Sequence, residues 1–332
     1  MTSKNNTILV TGGAGYIGSH ACKALAAGGY TPIVYDNLSR GHAWAVKWGP
    51  LEKGDILDGE RLVAVMKQYR PQAVMHFAAF AYVGESVEHP EMYYRNNTVG
   101  SLTLIEAMVE AGISKMIFSS TCAIYGEPMA LPLVESHPQK PVNPYGFSKM
   151  AVERMLADAE IAHGLRHVNL RYFNAAGADP EGAVGEVHDP ETHLIPLVLD
   201  AIDGRREKLS VYGDDYDTPD GTCIRDYIHI SDLAQAHLLA LKALQGDAQS
   251  ASYNLGNGNG FSIRQLIAVA EKVTGRKVPY EIANRRSGDP AVLVGDAMKI
   301  REKLGWAPRF PDLEGIIETA WRWHQKYHGK NP

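Results

Sequence analysis

Short runs of β-branched and apolar residues alternate with longer amphipathic stretches through the first half of the chain. The nearly continuous apolar runs at 7–11, 31–36, 51–55, 73–78, 115–120 and 167–171 predict strands covered on both faces. Between them, segments near 18–27, 59–69, 98–111 and 146–163 carry helical spacing. Such alternation predicts an α/β fold built on a doubly wound parallel sheet.

After Asn174 the texture changes. Glycine, proline and acidic residues cluster through 177–190 and 213–221, and helical patterns return at 194–203, 231–244, 263–274 and 313–327. This predicts a first domain over 1–173 and a second, smaller mixed α/β domain over 174–332, with some segments free to pass back into the first. Long loops in compact proteins usually carry function. No internal repeat, low-complexity tract or flexible linker is evident, so the two parts are expected to pack closely.

Composition narrows the classes. The 332 residues are 45% hydrophobic and 21% charged, which excludes a disordered or fibrous chain. A net charge of −5 gives no general attraction to nucleic acid or a membrane surface, so an anionic ligand must be gripped by a few local basic groups. The three cysteines lie far apart, in neither a disulfide framework nor a Cys-x-x-Cys pattern, which suits a reducing compartment. With a polar start and no long uncharged apolar stretch, a cytoplasmic location is expected.

The first strand runs into Gly12-Gly13-Ala14-Gly15-Tyr16-Ile17-Gly18, then a helix. Three glycines so spaced let the backbone turn sharply and approach a pyrophosphate, whose charge rests at the helix N-terminus. The second strand ends at Asp36, eighteen residues past Gly18, where a carboxylate accepts from an adenosine ribose and favours NAD over NADP. Asp36-Asn37 would serve equally as a turn cap, and Arg40 leaves room for NADP. Asp55-Ile56, ending the third strand, is placed for the adenine edge.

Asn143-Pro144-Tyr145-Gly146-Phe147-Ser148-Lys149 puts a phenol and an ammonium at i and i+4, on one helix face. A free tyrosine, with a pKa near ~10, is a poor base at neutral pH, and neighbouring positive charge is what makes it one. Strand five leads into Ser119-Ser120-Thr121, whose hydroxyl is placed to bond the substrate oxygen that loses its proton.

Gly12/Gly15/Gly18, Thr121, Tyr145 and Lys149 resemble the extended short-chain dehydrogenase/reductase superfamily. Within it, His76-Phe77-Ala78-Ala79, Val83-Gly84-Glu85-Ser86, Arg171-Tyr172-Phe173-Asn174, Arg225-Asp226-Tyr227-Ile228-His229 and Arg286-x-Gly288-Asp289 are similar to UDP-glucose 4-epimerases, from Ile8 to about His324. The resemblance implies a Rossmann NAD-binding domain followed by a UDP-sugar domain. It implies epimerisation by hydride transfer from the sugar C4 to bound NAD, through a 4-keto sugar that turns over and takes the hydride back on its other face. Tyr145 is then the base, Thr121 orients the hydroxyl, and Lys149 lowers the Tyr145 pKa and holds the nicotinamide ribose. Tyr16, Ile17, Asn37, Asp55, Ile56, Phe77, Ala78, Ala79, Asn96 and Tyr172 become further cofactor contacts, although Asn96 suits a helix N-cap as well. Asn174, His193, Leu194, Tyr212, Arg225, Arg286 and Asp289 become contacts to the sugar nucleotide. A homodimer joined through two helices of each chain, 98–111 and 146–163, is implied as well.

The chain departs from the family pattern in places. Thr121 replaces a common serine and keeps the hydroxyl. Ala81 replaces a lysine, removing one cofactor contact, and Thr192-His193 replaces paired asparagines. Leu293 stands where bulk beside the sugar varies, and is expected to crowd an N-acetyl group. The stretches 81–86, 119–123 and 220–227 resemble UDP-arabinose/UDP-xylose 4-epimerases too, leaving a pentose nucleotide as the alternative substrate. A sugar-nucleotide dehydrogenase or a non-catalytic nucleotide sensor are more distant readings. A 4,6-dehydratase would want a carboxylate after Thr121, where Cys122-Ala123 stand.

No metal is expected. The acidic loop of Asp214, Asp215, Asp217 and Asp220 lacks calcium-loop spacing. His324 and His328 show no third ligand in the sequence, and Cys122, with no activating base, fits a buried small hydrophobe.

Overall fold

The computed structural model describes residues 6–286 and 289–329; Gly288 of the Arg286-x-Gly288-Asp289 motif lies outside them. The first-half strands form one parallel sheet: β1 (Thr7–Thr11), β2 (Thr31–Asp36), β3 (Leu51–Lys53), β4 (Ala73–His76), β5 (Lys115–Thr121) and β6 (Arg166–Tyr172). A seventh strand, β7 (Ala251–Leu255), returns from the second half, giving the order β7-β6-β5-β4-β1-β2-β3. Chain direction across the sheet reverses between β1 and β4, so the crevice at their carboxyl ends is where a doubly wound sheet takes its ligand.

Helices cover both faces because the strands are apolar on both. On one face, α1 (Tyr16–Ala27) and α5 (Ile230–Gln245) pack Leu25, Leu233 and Leu241 against Val10 and Ile117. On the other, α2 (Gly59–Tyr69), α3 (Gly100–Glu110) and α4 (Pro144–His163) bury Val65, Leu104 and Leu156 against Leu9 and Phe118. Asn143 caps α4, its Oδ1 accepting from the Gly146 N–H at 2.8 Å, and Pro144 fits the first helical position. Gly164, at φ +70°, closes the helix in the left-handed conformation.

A separate core gathers the helices Leu194–Ile202, Ile263–Thr274 and Leu313–His328 around Val198, Leu266 and Ile316. Asp226 ties segments of the second half to one another. Its buried carboxylate accepts from the N–H groups of Asn257, Gly258 and Gly295 at 2.8, 3.1 and 3.2 Å. The three cysteines are free and buried, each in a different hydrophobic cluster: Cys22 between α1 and the sheet, Cys122 below the site, Cys223 in the second core. No helix of the described residues is long and apolar enough to cross a membrane.

The predicted strands at 51–55 and 73–78 stop earlier, at Lys53 and His76. Past those points the backbone turns: Asp55 caps its own loop by accepting from the Leu57 N–H, and Phe77 and Ala78 both donate to the Thr11 carbonyl. Asn96 is not an N-cap. Tyr93 before it is already helical, and Asn96 sits within a π-helical stretch, Tyr94–Val99.

Candidate active site

The β1–α1 turn carries the three glycines because nothing larger fits at two of them. A Cβ on Gly12, whose φ is +73°, would stand 2.5 Å from the Ala78 nitrogen, and one on Gly18 would stand 2.2 Å from the Gly12 carbonyl oxygen. Backbone thus packs on backbone beneath an α1 N-terminus that has no side-chain cap and no acid in its first turn. That is an electropositive cradle shaped for a pyrophosphate.

Asp36, ending β2, accepts from the Ala14 and Leu38 N–H groups at 3.0 and 2.8 Å. Burial pushes its pKa up and these donors oppose the rise. Asn37 Nδ2 donates to Asp55 at 2.8 Å, joining the ends of β2 and β3, and Ile56 lies buried against Gly100. Arg40 is committed to Glu85 at 2.6 Å and lies over the Tyr82 ring, which leaves the crevice with Asp36 as its nearest charge on β2. Tyr16 donates to the Gly177 carbonyl at 2.7 Å. Phe77, Ala78 and Ala79 follow β4, and Asn96 Nδ2 donates to Asn97 at 2.9 Å. Asn97, which sequence reasoning passed over, fixes the loop after β4: its side chain binds both backbone groups of Phe80 and the Ser148 hydroxyl.

At the end of β5 the side chains named for proton transfer meet. The Thr121 hydroxyl adjoins the Tyr145 phenol and accepts from the Ala123 N–H at 3.1 Å. Burial pushes Tyr145 up to about 12, and the Thr121 hydroxyl opposes this. Lys149, 3% exposed, donates to the Ser119 carbonyl at 2.8 Å, and burial with no carboxylate partner pushes it down to about 7. Tyr172 bonds the Ser119 hydroxyl and adjoins Tyr145. One helix and two strand ends therefore bring Thr121, Tyr145, Lys149 and Tyr172 into one pocket floor.

Residues named for the nucleotide come from the second part. Arg225 pairs with Asp289 at 2.5 Å, and the Arg286 guanidinium lies 3.9 Å from the centre of the Tyr212 ring. Asn174, at the exit of β6, donates through Nδ2 to the Asp226 carbonyl at 2.7 Å. Leu194 opens its helix and packs on the second core. His193 stands in a different company: its Nδ1 is 3.0 Å from Glu186 and 3.1 Å from Glu191. Burial pulls its pKa down, but the two carboxylates prevail and hold it at about 10. The spacing Glu186-x-His188-x-x-Glu191-x-His193 was the signal for this cluster, and the sequence reading used only its last residue. His324 and His328 gain Asp200 as a third neighbour, supplied by a helix far away in sequence. Cys122 is buried and pushed up to about 12, an inert thiol as expected.

Residues 8–256 match the NAD dependent epimerase/dehydratase family. The UDP-glucose 4-epimerase of Rhizobium meliloti (strain 1021) is 54% identical over 323 residues, 97% of this chain and 98% of that one. The crystal structure of UDP-glucose 4-epimerase from Brucella ovis in complex with NAD superposes with a TM-score of 0.94 at 55% identity, over 96% of this chain and 98% of that one. A UDP-glucose 4-epimerase of Stenotrophomonas maltophila, crystallised with NAD and formylated UDP-arabinopyranose, gives 0.94 at 39% identity over 98% and 99%. With a glycine cradle for a dinucleotide, a Thr–Tyr–Lys floor and full-length likeness at this level, the chain belongs to the NAD dependent epimerase/dehydratase family, among the UDP-glucose 4-epimerases.

Proposed function

We propose that the protein interconverts UDP-galactose and UDP-glucose, using bound NAD. The observation that carries the reading is the pocket floor, where a phenol, a hydroxyl and a buried ammonium converge beside a dinucleotide cradle. Bound NAD supplies a hydride acceptor that becomes the donor, so the reaction has no net redox change. Gly12, Gly15, Tyr16, Ile17, Gly18, Asp36 and Asn37 hold its pyrophosphate and ribose. Asp55, Ile56, Phe77, Ala78, Ala79, Asn96 and Tyr172 line the remainder.

Tyr145 takes the proton of the sugar 4-hydroxyl and returns it, and Thr121 aligns the two oxygens. In the resting protein burial works against a phenolate, so the positive charge of Lys149 and of the oxidised cofactor is required to bring Tyr145 into range. Arg225, Arg286, Asp289, Tyr212 and Asn174 fasten the nucleotide, leaving the sugar loosely held so that it can present either face. Two guanidinium groups suffice to hold a diphosphate on an acidic protein.

The test is to incubate the protein as purified, with no cofactor added, with UDP-galactose or UDP-arabinose and follow the sugars by proton NMR. Conversion of UDP-galactose to UDP-glucose without net NADH is expected. Accumulation of NADH with no epimer would overturn the reading in favour of a dehydrogenase, and faster turnover of UDP-arabinose would shift it to the pentose nucleotide. Leu293 packs at the edge of the cluster formed by Phe173 and Cys122, the latter next to Thr121 in the chain, which supports its place beside the sugar. UDP-N-acetylglucosamine is therefore expected to turn over at least about 10-fold more slowly than UDP-glucose, a discrimination of 1–2 kcal/mol. Comparable rates would show that Leu293 leaves room.

We also propose a homodimer through α3 and α4. These helices run side by side, and a groove between them is lined by Leu102, Ile105, Val109, Met155, Ala159 and Ala162. Leu102 and Ile161 are 41% and 86% exposed in the single chain, apolar surface that pairing would cover. Light scattering is expected to give twice the 36.3 kDa chain mass, and Ile161→Asp to lower it toward the monomer. A monomeric wild type would refute the dimer.

A further inference from the structure

Within eight residues of the loop 177–193 stand four side chains of metal-binding type, Glu186, His188, Glu191 and His193. One ligand atom of each lies within 4.8 Å of all the others. His193 Nδ1 is 3.0 Å from Glu186 Oε1 and 3.1 Å from Glu191 Oε1, while His188 Nδ1 is 3.4 Å from Glu186 Oε1 and from Glu191 Oε2. Nitrogen and oxygen ligands at about 2.0–2.1 Å around a tetrahedral zinc ion are about 3.3–3.4 Å apart. The two His188 contacts already have that spacing, and the two His193 contacts are a little shorter.

One hydrogen bond, between His193 Nδ1 and Glu191 Oε1 at 3.1 Å, accounts for only part of the cluster. Glu186 Oε1 and His188 Nδ1 are both buried with no hydrogen-bond partner, although each has a neighbour within 3.4 Å. The Glu186 side chain is 7% exposed. These two atoms are close but make no aligned bond, as happens when they point at a common centre. A buried carboxylate oxygen that faces two imidazoles without an aligned hydrogen bond is incompletely satisfied, and a cation at that centre would satisfy it.

The surroundings fix the ligands in place. Glu191 Oε1 accepts from the Thr192 and His193 N–H groups, both at 2.8 Å, which turns Oε2 toward His188. Tyr16 and Tyr82 set their rings edge-on to His188. Outer partners of this kind orient metal ligands.

We propose that Glu186, His188, Glu191 and His193 bind one divalent transition-metal ion of zinc type, which fastens the loop 177–193 against the β1–α1 turn that carries Tyr16. Two imidazoles and two carboxylates close a four-coordinate shell, so the ion is structural and takes no part in the chemistry at Tyr145. The cluster of Asp200, His324 and His328 offers one ligand fewer and serves as the control.

The experiment uses the full-length chain without an affinity tag, grown with zinc and dialysed against metal-free buffer. Elemental analysis is expected to find about one zinc per chain, below about a fifth of that in His188→Ala and Glu186→Gln, and no change in His328→Ala. Stripped wild-type protein reloaded with cobalt should show the intense visible bands of a tetrahedral ion, a readout that needs no variant to fold. Wild-type protein without metal, together with a weak octahedral cobalt spectrum, would overturn the proposal and leave an ion-pair cluster. Metal that persists in both His188→Ala and Glu186→Gln would overturn it equally, placing the ion elsewhere.

Discussion

Tyr145→Phe is expected to lower kcat for epimerisation by about 10²–10⁴-fold, while NAD content and the KM for UDP-sugar change by no more than a few-fold. The substitution removes one oxygen and keeps the ring, so the helix, the pocket wall and the cradle are undisturbed. What disappears is the phenolic oxygen beside the Thr121 hydroxyl at the end of β5. Thr121→Ala, which removes alignment but leaves the base, should cost less, and Lys149→Met should lower kcat while also loosening NAD. In the wild type kcat is expected to fall as the pH is lowered, because the phenol proposed as the base must lose its proton. That acidic limb should vanish in Tyr145→Phe. A variant within 10-fold of wild type would show that another group moves the proton.

Removing the Glu153 carboxylate should be the most destabilising single change in the first domain. Arg171 on β6 donates to Glu153 on α4 through Nε and Nη2 at 3.0 and 2.6 Å, and both residues are buried. The Ser120 hydroxyl donates to the same carboxylate at 2.6 Å, and Arg171 reaches on to Tyr125 and to the Glu135 carbonyl at 3.0 and 3.1 Å. Glu153 outweighs burial and holds the Arg171 pKa above its ordinary value. Breaking such a pair from one side leaves a charge buried alone, so Glu153→Ala is expected to lose about 3–5 kcal/mol in urea unfolding. The double variant Glu153→Met, Arg171→Leu should recover most of that loss, since an apolar pair of similar volume replaces the ions. A double variant as unstable as the single one would show that the ion pair and its hydrogen bonds themselves carry the stability, rather than the cost of a charge left alone. Because Ser120 adjoins Thr121 and Glu153 lies one turn beyond Lys149, this clamp also sets the spacing between β5 and the helix that carries Tyr145.

The parallel sheet was legible because β1, β2, β4 and β5 each carry a central apolar run, and the cradle because only glycine tolerates backbone at 2.2–2.5 Å from a Cβ. β7 was not legible. Ser252 and Asn254 alternate with its apolar residues and give it the look of a surface loop, yet Asn254 is fully buried and bonded to Tyr125 and to the Leu133 carbonyl. Polar residues satisfied by distant partners carry no local signature. Asp226 is a similar case: its motif drew notice for Arg225, while the aspartate next to it ties together three loops far apart in sequence. The Tyr145–Lys149 spacing foretold a shared helix face but not that the ammonium would bond the Ser119 carbonyl, since that depends on how α4 lies against β5.

The placement of one free thiol in each of three hydrophobic clusters makes the chain its own reporter of local opening. A thiol reagent in excess modifies Cys22 only when α1 lifts from the sheet, Cys122 only when the pocket floor opens, and Cys223 only when the second core loosens. Three labelling rates, separated by peptide mass spectrometry, therefore give three opening free energies in one unmutated protein. Ligand that clamps the two parts together would slow the Cys122 rate first, so the coupling between substrate binding and breathing of the fold can be followed without adding a probe.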